Sequence, residues 1–428
     1  MSIFKSNQLF FNNFSIYFLG LITSGLISFI TIPLIVRYYG VGNYGTFSLV
    51  QNVILVLISF GGGWLNQCVL RFNNYSTNFK ITIFQLYFVT FFPLSLLCFV
   101  ILALMGVGLV ISVIGTVTMF LGSLVALSIV FYQSRFNARK SFYFDFVRII
   151  IFLAMVLTFN FALAEISSLL RLLLSFFISY LISFFFLLRI DFKFLKISVG
   201  LFFKMFGKDY FRELFKKNTH LFHYGWPLAL WFTISSILNV SDRYIIGYYL
   251  TEKELGTYSA IYDLLYKGIT LLYAPILVAG FPIMSQKYNS GNKKEAFDFL
   301  KKLIVFELLI FLVIMVAAYF LRGFFIEKIV GIMVTEHTLA LVLPILFGAF
   351  IWQLAMLVHK PLEFQLKTKT MLLFSVLALV VNIVLNIVFI PSYGIVFASY
   401  STLVSAFVYL LLNVFYISYT KRENLCGT

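Results

Sequence analysis

Ionisable side chains are scarce in this chain, and the few inside long apolar runs need a chemical reason for being there. Lys267 lies in a run that begins near residue 257, roughly 14 Å along it at the helical rise of 1.5 Å per residue. Asp263 precedes it by four residues, the order and spacing that favour an ion pair on one helix face. Asp242 and Arg243 are adjacent in the run before. Arg171 and Arg148 lie in two runs of the N-terminal half, Arg148 near the start of its run, and Glu307 lies in a run of the C-terminal half. A charge at the centre of a bilayer costs at least about 2.5 kcal/mol and turns towards a cavity or a partner. Lys267, Arg243, Arg171 and Arg148 suit an anionic guest. A diphosphate is the obvious one, because guanidinium and ammonium groups bind phosphate oxygens. Asp263, Asp242 and Glu307 either serve a coupling cation or pair with the cations and fix helix register.

The elements that hold these charges follow from composition. The chain has 428 residues, 61% of them hydrophobic, 19% aromatic and 11% charged. A soluble domain carries roughly 25% charged residues, so a chain this poor in charge meets lipid instead of water. Windows of about 20 apolar residues, enough to cross roughly 30 Å of hydrocarbon, fall near 14–36, 45–70, 82–104, 109–133, 143–163, 166–189, 222–248, 257–284, 303–321, 339–359, 371–390 and 394–418. The expected fold is an all-α polytopic membrane protein of about twelve spans. Alternating these spans from a cytoplasmic N-terminus leaves only Arg37, Lys253, Arg322 and Lys328 on the far side; Arg148, Arg171, Arg243 and Lys267 lie within spans, and all the other Lys and Arg fall on the cytoplasmic side. This bias matches the positive-inside rule and predicts that both termini are cytoplasmic. The net charge of +16 is therefore a topology signal, and no nucleic-acid partner is expected. Residues Met1 to Asn13 lack the pattern of a cleavable signal peptide, so the first span is expected to stay in the protein.

Between the sixth and seventh spans, residues 190–218 are rich in Lys and Arg interleaved with Phe and Leu, as in Phe211-Arg212-Glu213-Leu214-Phe215-Lys216-Lys217. This segment reads as an amphipathic surface helix on an anionic leaflet. It separates residues 1–189 from 219–428, each holding six spans. The halves echo each other: Tyr44-Gly45-Thr46-Phe47-Ser48 and Leu255-Gly256-Thr257-Tyr258-Ser259 both open the second span of their half. Two six-helix bundles with an even number of spans face the same way. They are expected to be related by a pseudo-two-fold axis along the membrane normal, with a cavity between them suited to alternating access. Pro275 and Pro282 in span eight, and Gly62 within Gly61-Gly62-Gly63 of span two, are the expected hinges, because proline frees a backbone carbonyl and glycine loosens a helix.

Other chemistry is excluded by what is missing. There is no P-loop, no Gly-rich dinucleotide loop, no His-Glu-x-x-His and no nucleophile elbow, so neither an enzyme nor an ATP-driven pump is expected. Cys68, Cys98 and Cys426 are widely spaced and give no metal site or disulfide framework. His220 and His223 have no carboxylate or Cys cluster beside them. No cofactor or metal is expected.

Taken in order, Ile32-Pro33-Leu34, Tyr44 to Ser48, Tyr224-Gly225-Trp226-Pro227, Asp242-Arg243-Tyr244-Ile245-Ile246-Gly247, Leu255 to Ala260, Asn382-Ile383-Val384-Leu385-Asn386 and Ile390-Pro391 resemble polysaccharide transport proteins of the Wzx type, the O-antigen and capsule repeat-unit flippases. The resemblance covers nearly the whole chain and rests on the order of loose motifs. It implies a superfamily shared with multidrug and toxin extrusion antiporters and lipid II flippases, and a pair of six-helix bundles. It also implies transfer of an undecaprenyl-diphosphate-linked oligosaccharide to the outer leaflet of a bacterial inner membrane, by a monomer working beside the polysaccharide polymerase. Lipid II flippases carry a charged pair in the first helix. Here that region holds Ser24-Gly25, which argues against lipid II as the substrate. The competing reading is a cation-coupled multidrug antiporter of the same fold. It would want an acidic cavity, against the cationic excess of spans six to eight.

Overall fold

A computed structural model describes residues 20, 22–23, 25–73, 77–134, 137–204, 208–365 and 367–426. The start of the first span (residues 14–19) and Lys5 lie outside them. The described chain is helical apart from short connections, as its long apolar runs demand: in lipid every backbone N–H and C=O must be satisfied within the protein, and a helix does this along its own length. Along the chain run α1 (Gly25–Tyr39), α2 (Val41–Phe72), α3 (Thr77–Leu104), α4 (Leu109–Ser134), α5 (Ala138–Ala162), α6 (Ser168–Lys204), α7 (Lys208–Lys217) and α8 (Thr219–Leu238). Then come α9 (Ser241–Tyr249), α10 (Glu252–Asn289), α11 (Lys293–Phe324), α12 (Glu336–Val358), α13 (Lys360–Phe364), α14 (Thr368–Tyr393) and α15 (Ile395–Cys426), with a π-helical turn at Phe325–Val330 after α11. Ten of these stretches are long and apolar enough to cross a membrane, so this is a multi-pass membrane protein. α1 is shorter within the described residues, and α8 with α9 fills the place of the seventh expected span.

One sequence expectation changes. Span seven is not one helix: it breaks at Asn239 and Val240, where α8 ends and α9 begins. Its residues 239–243 (Asn-Val-Ser-Asp-Arg) are polar enough to offer the backbone other partners. Span two, by contrast, runs as one helix through Gly61-Gly62-Gly63, the stretch that holds the expected hinge Gly62. Those glycines are places of close approach: a Cβ on Gly61 would lie 2.8 Å from the Phe91 ring of α3. Pro275 and Pro282 both fall within the continuous α10.

The chain divides into two compact units, one holding Phe47–Thr233 and the other Phe29–Thr46 with Ile234–Thr428. The division therefore falls inside the seventh expected span, beyond the basic linker at 190–218. In the first unit α8 is held by contacts the linker does not predict. Gly225 lies against Trp64, leaving 2.8 Å between an added Cβ and the Trp64 Cβ. The Cys68 thiol donates to the Leu221 carbonyl at 3.2 Å, and the Arg71 guanidinium covers the Tyr224 ring at 4.4 Å. The linker is helical at both ends. In α7, Leu214 is buried while Arg212, Glu213, Lys216 and Lys217 are exposed, the two-faced pattern expected of a surface helix. The Lys217 ammonium, 2.6 Å from Glu213, holds that carboxyl below the usual carboxylate range.

The second unit captures the corner between α1 and α2. Gly40 turns the chain there with φ of +88°, a conformation glycine adopts without strain. The duplicated glycines then meet. A Cβ on Gly45 would stand 2.6 Å from the backbone nitrogen of Gly256, and one on Gly256 would overlap the Val41 carbonyl. The two motifs recognised as a repeat are thus a single backbone-to-backbone crossing of α2 and α10.

Candidate functional site

The charges of the second unit assemble around the break in span seven. α9 begins without a capping side chain at Val240, so its first N–H groups need acceptors. Asp242, in its first turn, supplies one: Oδ1 accepts from the Arg243 backbone N–H at 2.8 Å. A carboxylate at a helix N-terminus also meets the positive end of the helix dipole. Asp242 Oδ2 accepts from the Tyr258 hydroxyl of α10, and from Thr402 of α15 at 3.3 Å. Asp242 therefore forms no side-chain ion pair with Arg243, as adjacency in the sequence invites one to expect; its oxygens are taken by backbone and hydroxyl donors, and its charge acts on the guanidinium through space.

Arg243 points elsewhere. Its Nη2 lies 2.7 Å from Asp263 Oδ1 and its Nη1 3.3 Å from Oδ2, a two-pronged pair that joins α9 to α10. The Tyr44 hydroxyl, from the captured start of α2, donates to the same Oδ2. The Tyr262 ring lies under the guanidinium at 5.1 Å. The pair is buried, with side chains 3% and 17% exposed. One donor is left over: Arg243 Nε–H is buried with no hydrogen-bond partner among the described residues. Lys267 follows Asp263 by one turn of α10, half-buried and close enough for its charge to act on Asp263. The expected Asp263–Lys267 pair is thus displaced as the main contact, because the rigid guanidinium fork satisfies both carboxylate oxygens where an ammonium is a point charge.

Beneath this cluster a buried polar chain ties α9, α14 and α15 together. Ser241 donates to Asn382 Oδ1 at 2.8 Å, Asn386 Nδ2 donates to the same oxygen at 3.0 Å, Asn382 Nδ2 donates to Ser405 at 3.3 Å, and Ser401 donates to Asn386 Oδ1. All five side chains are buried. Asn382→Leu strips the acceptor from Ser241 and Asn386. It should destabilise the protein by about 1–3 kcal/mol, read as a lower unfolding temperature in detergent. An unchanged transition would mean that these groups do not act as one network.

The remaining candidates lie apart from it. Glu307 of α11 is buried, and its Oε2 has no hydrogen-bond partner among the described residues. The Tyr273 hydroxyl beside it donates to its backbone carbonyl at 3.2 Å instead. In the first unit, Arg171 Nη1 donates to the Asn160 carbonyl at 3.3 Å and Nη2 to Ser168 at 3.1 Å. A cation at the last carbonyls of α5 is a helix cap. Arg148 pairs with Asp145 at 2.6 Å over the Tyr180 ring. Both first-unit candidates thus have a local structural contact. Sequence reasoning did not find Tyr44, Tyr258, Thr402 or the Asn382 network. The i, i+4 spacing of Asn382 and Asn386 in an apolar run was the available signal, since two amides on one face of a lipid-embedded helix need partners.

Comparison with known proteins gives the arrangement its lineage. Residues 10–288 match the family described as polysaccharide biosynthesis protein, and residues 227–388 match the MatE family. A relative from Haloferax volcanii, described as a probable low-salt glycan biosynthesis flippase, Agl15, is 28% identical over 212 residues. That stretch covers 48% of this chain and 43% of the relative, so the match spans less than half the length of that curated protein. Two solved structures share the fold. Lipid II flippase MurJ in an inward closed conformation has a TM-score of 0.71 at 16% identity, covering 95% of this chain and 87% of that one. A multidrug resistance MATE family transporter of the MOP superfamily, facing inward, has a TM-score of 0.67 at 11% identity, covering 94% and 95%. With the family match extending over well more than half its length, and the helices following a transporter fold, this chain belongs to the polysaccharide biosynthesis protein family.

Proposed function

We propose that this protein is a flippase. It carries undecaprenyl-diphosphate-linked oligosaccharide repeat units from the cytoplasmic to the outer leaflet of a bacterial inner membrane by alternating access, for O-antigen or another surface polysaccharide. Both termini are cytoplasmic, the protein works as a monomer, and the polymerase takes over its product. The observation that carries this reading is the buried Arg243, paired with Asp263 yet holding an unfilled Nε–H, with the half-buried Lys267 one turn away. The unfilled guanidinium N–H is a donor for a diphosphate oxygen, and the Lys267 ammonium lies within one helical turn of the same pair. Arg171 and Arg148 have structural contacts and take the second rank as substrate ligands. Of the three candidate coupling carboxylates, Asp242 and Asp263 are saturated by donors. That leaves Glu307, with its unpartnered oxygen, as the group for a coupling cation. The family membership and the glycan flippase among the relatives support the substrate class.

The test is the sidedness of the glycan-lipid in cells whose only copy carries Lys267→Ala. Membrane insertion should be normal. Export should fall roughly tenfold or more, the scale of one charge-assisted hydrogen bond, and the glycan-lipid should accumulate in the inner leaflet. If cells without the protein still place the glycan-lipid in the outer leaflet and merely fail to polymerise it, the protein acts after translocation and the flippase reading fails.

A further inference from the structure

The α11 helix is the most outward-facing of the spans: Leu312, Val313, Val316 and Phe320 are all exposed. Near its C-terminal end it does not close against its neighbours. A crevice of about 310 Å³ opens between α11, α12 and α15, walled by Leu343, Phe347 and Leu403, with Arg322 at its rim. A second crevice of about 380 Å³ adjoins it, sharing Ala340 and Tyr400, with Glu336 at its own rim. Together they have the volume of a small-ligand site. Exposed Tyr319, Tyr393 and Tyr400 ring this end of the unit, the aromatic belt that marks the depth of lipid headgroups.

The rim charges are both unspent. Arg322 rests over the Tyr319 ring at 5.0 Å and forms no ion pair among the described residues. Glu336, in the first turn of α12, forms none either, since the cap there is made by Thr335 with Thr338. A cation on one crevice and a carboxylate on the crevice adjoining it, unpaired with each other, match a guest that brings both signs. The apolar walls and the lipid-facing position call for a guest with hydrocarbon tails. We propose that this double crevice seats a zwitterionic, amine-bearing phospholipid, its phosphate on Arg322, its ammonium towards Glu336, and one acyl chain along Leu343, Phe347 and Leu403. The site is separate from the Arg243 cluster, and its occupancy does not depend on what the protein transports.

The experiment reads lipid retention. Full-length protein is reconstituted into nanodiscs of phosphatidylethanolamine and phosphatidylglycerol, extracted into detergent, and its bound lipid is counted by native mass spectrometry. The wild type should keep phosphatidylethanolamine in preference to phosphatidylglycerol. Arg322→Ala should weaken retention of both lipids roughly tenfold, the loss of one charge-assisted contact to phosphate. Glu336→Gln should leave phosphate binding in place and erase the preference. Ala340→Trp, which fills the shared wall, should act like Arg322→Ala. Retention that is indifferent to headgroup in the wild type, or unchanged by Arg322→Ala and by Ala340→Trp, would overturn the proposal.

Discussion

Arg243→Gln should cost the fold about 3–5 kcal/mol, the usual penalty for leaving one member of a buried ion pair without its partner. The size follows from burial. Asp263 would remain only 17% exposed, with the Tyr44 hydroxyl still donating to it and the Lys267 charge one turn away in place of the guanidinium fork. The two-pronged contact that joins α9 to α10 would be gone. The protein should therefore unfold well below the wild type in detergent, and surface glycan should disappear. Stability and transport are separated by adding Asp263→Asn. The double variant is neutral, its new amide can accept the Tyr44 proton, and it should recover most of the lost stability, because a buried pair gains little over a well-packed neutral replacement. Export should stay lost, since the cationic charge is still missing. A stable double variant that exports normally would remove Arg243 from the substrate site and leave it a structural tie.

Gly256→Ala should be nearly as damaging, at about 3 kcal/mol, the upper end of ordinary overpacking. What the new methyl meets decides this: it would overlap the Val41 carbonyl, and the adjacent Gly45 already stands as close as a backbone allows. A flexible side chain could swing aside, but a peptide group at the start of α2 cannot move without dragging Tyr44 from Asp263. The expected result is a lower unfolding temperature together with impaired export. Gly323→Ala, in α11 with nothing within 4 Å of the new atom, should be neutral and serves as the control. If Gly256→Ala melts with the wild type, the crossing of α2 and α10 does not hold the corner.

These two sites show where the sequence was legible. The apolar runs located nearly every helix, because a run of about 20 apolar residues crosses lipid with its backbone satisfied only as a helix, and the glycines at 106, 108 and 394 turn the chain between spans with positive φ. The duplicated Gly-Thr motif was visible as a repeat, and the rare membrane charges could be singled out one by one. Hydropathy could not show the break in span seven, because a helix interrupted by a few polar residues still averages as apolar. Nor could it show that Gly61 to Gly63 leave α2 intact, since a glycine that permits close packing and one that bends a helix look alike in a sequence.

Pairing was likewise decided in three dimensions. Spacing along one helix offered Lys267 to Asp263, and adjacency offered Asp242 to Arg243. The fold gave Asp263 to Arg243 across two helices and Asp242 to the N-terminus of α9. The sequence by itself determined that this chain is a helical membrane protein with a handful of costly charges, because burial in lipid is set by composition. Only the tertiary structure decided which charge answers which, because a carboxylate takes the donor whose geometry fits it best, and that donor is brought near by packing rather than by order along the chain.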